Sequence, residues 1–101
     1  SLLIPNDPLA QPNATQYHLN IIKAYQAWDI ERGNSNMIVG VIDNSFDLNN
    51  TDLRTNNVAP AGLNRDVANN DNNVFGSGSN HGTLVALCAS AIPNNGVGGA
   101  G

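Results

Sequence analysis

The sequence has few positive charges, one cysteine and no long apolar run. Its formal net charge is −4, and its four cationic side chains are scattered along the 101 residues, at Lys23, Arg32, Arg54 and Arg65. A protein that binds nucleic acid needs clustered lysine and arginine to neutralise phosphates, so the sequence excludes that partner. No run approaches the roughly 20 apolar residues of a membrane span, so we expect no such span.

The cysteine and the amino-terminal residues bear on the compartment. Cys88 lies within an apolar stretch, where we expect a small buried side chain rather than a nucleophile or half of a disulfide. It therefore does not indicate a redox compartment. No basic and apolar signal region precedes Asn6. A secreted protein in mature form has these features, and we expect an extracellular or periplasmic location.

Residues 80–92 concentrate the chemistry of the chain in one stretch, Asn-His-Gly-Thr-Leu-Val-Ala-Leu-Cys-Ala-Ser-Ala-Ile. Asn80 is a favourable N-cap and Pro93 forbids further helix, so the pattern predicts a helix between them. The run is apolar on every side, which predicts a buried helix with His81 in its first turn. A catalytic base needs such a fixed position, whereas a purely structural histidine is the alternative.

A short β-branched run lies upstream at residues 37–42, Met-Ile-Val-Gly-Val-Ile. It predicts a buried strand of a parallel sheet, with Asp43 at the carboxyl end. Sites are built at that edge of open α/β sheets, so we expect Asp43 and His81 to meet. The carboxylate would orient one ring nitrogen and the other would face a nucleophile. The alternative for Asp43 is a carboxylate that accepts only backbone N–H groups.

Together these motifs resemble a known family, the subtilisin-like serine peptidases. Its Asp and His boxes are similar to Val41-Ile42-Asp43, to the downstream Thr51-Asp52-Leu53, and to His81-Gly82-Thr83 followed by Val85-Ala86. The thermitase branch of the family is similar, in type and order, to Asn6-Asp7-Pro8, Gln16-Tyr17, Ala27-Trp28-Asp29-Ile30 and Pro93-Asn94-Asn95-Gly96-Val97-Gly98. The resemblance spans nearly the whole chain.

The resemblance implies an α/β fold with a mostly parallel sheet flanked by helices, of which this chain would be the N-terminal portion. Residues 1–16 would form an extended arm and residues 17–101 the start of the core. The implied activity is hydrolysis of peptide bonds by an Asp-His-Ser triad, with Asp43 as the orienting carboxylate and His81 as general acid/base. Extended protein or peptide substrates would bind as an added strand.

Three departures from the family pattern bear on activity. Ser45 stands where the family has glycine, and Leu84 stands where it has a second histidine. The serines present lack the context of a nucleophile elbow, and no oxyanion-hole Asn is found. We therefore expect the nucleophile to come from the remaining part of the catalytic domain and this chain alone to be inactive. The alternative is a catalytically degenerate subtilase-like module retained for binding or assembly.

The resemblance also implies a structural calcium site. Its ligands would be the side chains of Asp7, Asp52 and Asn95 and the backbone carbonyls of Ile92, Val97 and Gly99. Calcium takes six to eight oxygen ligands, which carboxylates, amides and carbonyls supply. The alternative is that Asp7 and Asp52 are turn and capping residues, roles that aspartate favours without an ion.

Local patterns predict the remaining elements. Apolar spacing over residues 17–32 indicates one or two short helices closed by Gly33. Proline and turn residues at 5–13 indicate a surface arm, and residues 49–57 a loop. A short strand is expected near residues 63–67, followed by an exposed loop at residues 69–73.

Overall fold

The fold consists of short helices joined by long irregular segments. The structure is a computed structural model that describes residues 2–53 and 63–101, so part of the predicted loop at 49–57, with Arg54, lies outside the described residues. In chain order come a 3-10 helix at Pro8–Ala10 and the α-helices α1 (His18–Ile21), α2 (Ala24–Ile30) and α3 (His81–Ser90). In this described part no helix has the length and apolar character needed to cross a membrane.

One or two short helices are predicted between residues 17 and 32, and the structure has two. Lys23 separates α1 from α2 because its backbone adopts a left-handed conformation, with φ of 57°. Helix α2 ends at Ile30, and Glu31 is extended. Gly33, the predicted closing glycine, has a φ of 74°, which favours glycine, and lies beyond the helix end.

A small core forms where the arm meets α1 and α2. Tyr25 is its largest member, and the rest of the cluster is Ala10, Leu19, Ala24 and Ala100, with Trp28 packed against it. The Tyr25 hydroxyl donates to the Ala10 carbonyl at 2.6 Å, and the Tyr25 and Trp28 rings meet edge to face at 5.8 Å. Burial raises the pKa of Tyr25, which keeps the hydroxyl protonated as a donor.

The amino-terminal arm is more deeply buried than predicted. Pro5, Asp7 and Ala10 are buried, and the Leu9 N–H donates to the Gly98 carbonyl at 2.8 Å. The arm pairs with residues 94–100 through its backbone and polar side chains. Composition alone indicated a surface segment because turn residues lack the apolar pattern that signals burial.

The predicted parallel sheet is absent from residues 2–53 and 63–101, so the α/β prediction is wrong for the described chain. Residues 37–42 are irregular, and Ile38 and Ile42 are almost fully exposed. The expected strand at residues 63–67 is also absent, since one isolated antiparallel bridge, between Asp66 and Asp71, is the β pairing seen there. A strand requires a neighbour for its N–H and C=O groups, and no described segment provides one for residues 37–42.

Helix α3 begins at the predicted histidine and ends at Ser90, two residues short of the predicted end. It is not buried on every side. Gly82, Thr83 and Ala86 form its buried face, whereas other side chains along it are exposed, among them Leu84, Val85 and Cys88. The expectation of a buried Cys88 is therefore wrong, because the described chain covers one face of the helix. The predicted exposed loop at residues 69–73 is confirmed.

Candidate active site

The carboxylate of Asp43 contacts the imidazole of His81, although the two residues are 38 positions apart in the sequence. His81 Nδ1 lies 2.9 Å from Asp43 Oδ1 and 3.0 Å from Oδ2. The Asp43 side chain is 15% exposed and the His81 side chain 67% exposed. Within the described residues the opposite ring nitrogen, Nε2, has no hydrogen-bond partner. The pair therefore presents an oriented imidazole with one open nitrogen.

Ser79 joins the start of α3 to the segment that carries Asp43. Its hydroxyl accepts the His81 N–H at 3.2 Å and donates to Asn44 Oδ1 at 3.3 Å. Asn80 occupies the predicted N-cap position but its side chain forms no capping hydrogen bond. Ser79 thus satisfies one free N–H of the helix start and ties it to the residue after Asp43.

Close backbone contact brings the two segments together. A Cβ atom at Gly82 would collide with the Ser45 carbonyl oxygen and would lie 3.1 Å from the Asp43 Cβ. One residue further on, Thr83 Oγ1 accepts the Asp47 N–H at 2.8 Å. The first turn of α3 therefore packs directly on residues 43–47, and position 82 requires the absence of a side chain.

Ser45, one of the residues that depart from the family pattern, binds a third segment of the chain, at Gly76. Its hydroxyl accepts the Gly76 N–H at 2.7 Å and donates to the Gly76 carbonyl at 3.0 Å. Next to it, the Phe46 N–H donates to the Val74 carbonyl at 2.9 Å. Ser45 is buried, and it does not have the positive φ that would favour glycine. Sequence reasoning missed Gly76, since nothing in residues 58–78 indicates this contact.

Hydrogen bonds lower the pKa of the Asp43 carboxyl. The Asn44 N–H is the largest cause, the hydrogen bond from His81 is second, and the charge of His81 adds to them, while partial burial opposes the shift. The Asn44 N–H lies 2.7 Å from Asp43 Oδ1. Asp43 therefore remains ionised at neutral pH and is available as an acceptor for the imidazole.

An open cleft of about 500 Å³ runs beside the first turn of α3. Phe75, Leu84 and Leu87 contribute apolar surface to it, and Asp47 and Asn50 contribute polar groups. Leu84, the second departure from the family pattern, is half exposed and lines this cleft.

The predicted calcium ligands come together at the junction of the arm and the loop after α3. Asp7 is fully buried, and its two carboxylate oxygens accept the N–H groups of Asn94 and Asn95 at 2.7 and 3.0 Å. Asp52 is also buried. Its Oδ1 accepts the Asn95 side-chain amide at 2.7 Å, and its Oδ2 accepts the Gly99 N–H at 2.9 Å.

The other residues of the implied ligand set contact Asp52 and Asn95 through their N–H groups. The Ile92 N–H donates to the Asp52 carbonyl at 2.9 Å, and the Val97 N–H donates to Asn95 Oδ1 at 3.1 Å. Two buried carboxylates without a cationic partner among the described residues suit a hard divalent ion in charge and donor type. Every carboxylate oxygen nevertheless already accepts an N–H, and the described residues contain no group of three or more His, Cys, Asp or Glu side chains placed to hold a metal.

Comparison of the chain with family models, curated proteins and solved structures found no match.

Proposed function

We propose that this chain carries the Asp-His part of the catalytic triad of a serine endopeptidase. The observation that carries the proposal is the contact of His81 Nδ1 with both carboxylate oxygens of Asp43, at 2.9 and 3.0 Å. The exposure of the imidazole supports it, because a general base must reach a substrate or nucleophile. The resemblance of the flanking motifs to the subtilisin-like boxes gives the reaction class.

In the proposed mechanism, the ionised Asp43 carboxylate accepts the Nδ1–H of neutral His81, which places the lone pair on Nε2. Nε2 takes the proton of a serine hydroxyl as that oxygen attacks the peptide carbonyl. Asp43 stabilises the resulting imidazolium, and Nε2–H then protonates the leaving amine to yield an acyl-enzyme. Water hydrolyses the acyl-enzyme through the same proton transfers, and the substrate class is an extended protein or peptide.

The serine nucleophile is proposed to come from sequence outside these 101 residues. Ser45 and Ser79 are the serines bonded around the pair, and both hydroxyls are already engaged, Ser45 with Gly76 and Ser79 with Asn44 and His81. Neither donates to the His81 ring. An extracellular or periplasmic location is proposed with this function, on the sequence grounds given above.

We also propose a structural calcium ion held by Asp7, Asp52 and Asn95, with the carbonyls of Ile92, Val97 and Gly99 as further ligands. The burial of two carboxylates with no cation in contact, among the described residues, supports it. When bound, the ion would neutralise these carboxylates and link the arm to the body of the protein. The catalytic steps above do not depend on it.

The test of the proposed activity is labelling of the full-length protein with a fluorophosphonate, which reacts with a serine activated by an assembled triad. Labelling of the wild type that is abolished in His81→Ala supports the proposal. His18→Ala is the matched control, because His18 has no carboxylate partner among the described residues, and it should label like the wild type. Absence of labelling in folded wild-type protein would indicate the alternative, a degenerate module that binds without catalysis.

A further inference from the structure

Ser45 occupies the point where three segments of the candidate site meet. Its hydroxyl binds both backbone polar groups of Gly76, at 2.7 and 3.0 Å, and its carbonyl oxygen lies against Gly82 in the first turn of α3. It is only two residues from Asp43, and its side chain is almost completely buried. No described contact joins Ser45 to the reacting imidazole itself.

The hydroxyl forms a hydrogen bond with each backbone polar group of Gly76, and the Gly76 carbonyl also accepts the Ser79 N–H at 3.5 Å. Gly76 is half-buried, and its N–H would lose its partner without the hydroxyl, so removing the hydroxyl leaves Gly76 to move or to admit water. The segment that follows Gly76 carries Ser79, which bonds both Asn44 and the His81 N–H. Motion at Gly76 would therefore displace both the segment of Asp43 and the backbone of His81.

We infer that Ser45 is a positioning residue that holds Asp43 and His81 in register through its paired hydrogen bonds to Gly76. This deepens the proposed function because it assigns a role to the residue that departs from the family pattern. It rests on the Asp43–His81 pair of that proposal and not on peptidase activity. Glycine at position 45 would leave the Gly76 N–H without its partner and the Gly76 carbonyl with the longer bond from the Ser79 N–H alone.

The test is the tautomer of His81 in the full-length protein, read from the ¹⁵N chemical shifts of its ring nitrogens at alkaline pH. In the wild type, donation to Asp43 should place the proton on Nδ1. Ser45→Ala should shift His81 towards a mixture of tautomers, whereas Ser77→Ala, which removes an exposed serine of the same segment, should not. His18 serves as the internal reference in every spectrum.

A double-mutant cycle separates positioning from a general loss of structure. The tautomer shift caused by Ser45→Ala should disappear when Asp43→Asn is already present, because there is no carboxylate left to align. A shift of equal size in both backgrounds, or no shift in a folded Ser45→Ala protein, would overturn the inference. A mixed tautomer in the wild type would instead contradict the Asp43–His81 pair on which the proposed function depends.

Gly76→Ala provides an independent variant if Ser45→Ala does not fold. Its Cβ would lie 3.3 Å from the Ser45 hydroxyl oxygen, so that oxygen must shift by a few tenths of an ångström while both backbone groups remain. We expect a tautomer shift in the same direction and of smaller size. A folded Gly76→Ala protein with the wild-type tautomer would count against the role of Ser45.

Discussion

Gly82 lies directly against the carbonyl oxygen of Ser45, so that any side chain at position 82 would overlap the backbone that follows Asp43. This contact sets the distance between helix α3 and the segment of residues 43–47. It explains how an aspartate and a histidine 38 positions apart can meet although residues 2–53 and 63–101 form no sheet.

Gly82→Ala should destabilise the protein although alanine favours helix by about 1 kcal/mol over glycine. The collision is with backbone atoms, which cannot rotate away, and overpacking of this kind costs about 1–3 kcal/mol. We expect a lower urea midpoint for Gly82→Ala. Gly78→Ala is the control, since a Cβ there meets nothing within 4 Å and should leave the midpoint nearly unchanged.

Turnover by the full-length protein should fall by roughly 10⁴-fold or more in His81→Ala, because the base that accepts the serine proton is removed. Asp43→Ala should lower turnover by somewhat less, since His81 retains its basicity but loses its orientation. Substrate binding should change little in either variant. Initial rates with a peptide substrate measure this, with His18→Ala as control. Retention of most turnover by Asp43→Ala would remove Asp43 from the mechanism.

The pairing of Asp43 with His81 could be predicted because it depends on residue type and on motifs with a fixed order. Helices α1 and α2 could be predicted because apolar spacing and the preferences of individual residues are local properties. The 3-10 turn at Pro8–Ala10 begins at a proline, which is also a local signal.

The absence of a sheet from the described residues could not be predicted from the sequence, because a strand depends on a partner elsewhere in the chain. The apolar run at residues 37–42 has the composition of a buried strand, yet Ile42 is fully exposed in the structure. The same limit applies to Ser45 and Gly76, which are 31 positions apart. A hydroxyl that binds backbone groups leaves no pattern at the distant residue, so neither periodicity nor composition indicates it.

Acid should lower the stability of the folded protein, in part because Asp43 becomes protonated. The native pKa of this carboxyl is below its ordinary value, so the ionised form adds stability above the ordinary pKa of about 3.9. That contribution is lost as the pH falls through the native pKa. The difference in urea midpoint between the wild type and Asp43→Asn should therefore be largest near neutral pH and should shrink below about pH 4.

Asp66 provides a control that distinguishes the effect of the Asp43–His81 pair from the general effect of acid on the protein. The pKa of Asp66 is also lowered, chiefly by the side chain and the N–H of Asn69 in the exposed loop. Asp66→Asn should show a pH dependence of the same sign while leaving the His81 tautomer unchanged. An Asp43→Asn difference that is constant from neutral to acid pH would contradict the pairing of Asp43 in the native state.

The last prediction concerns the two buried carboxylates that join the arm to the loop after α3. If calcium binds Asp7, Asp52 and Asn95, it stabilises the folded state by about 2.7 kcal/mol when its concentration is a hundredfold above the dissociation constant. A chelator should then lower the melting temperature and accelerate proteolysis within residues 5–13, and added calcium should reverse both effects. Asp7→Asn should reduce this response, because it removes one charge from the ligands of a hard cation.

Asp7→Asn should also destabilise the protein without calcium, by about 1–3 kcal/mol. An asparagine presents an NH₂ group to one of the two N–H groups that the carboxylate now accepts, from Asn94 and Asn95, and leaves that donor unpaired in a buried site. Asp29→Asn, at an exposed position, is the matched control for charge and should not change the melting temperature. Melting curves of the wild type that coincide with and without chelator, at matched ionic strength, would show that N–H groups alone hold these carboxylates.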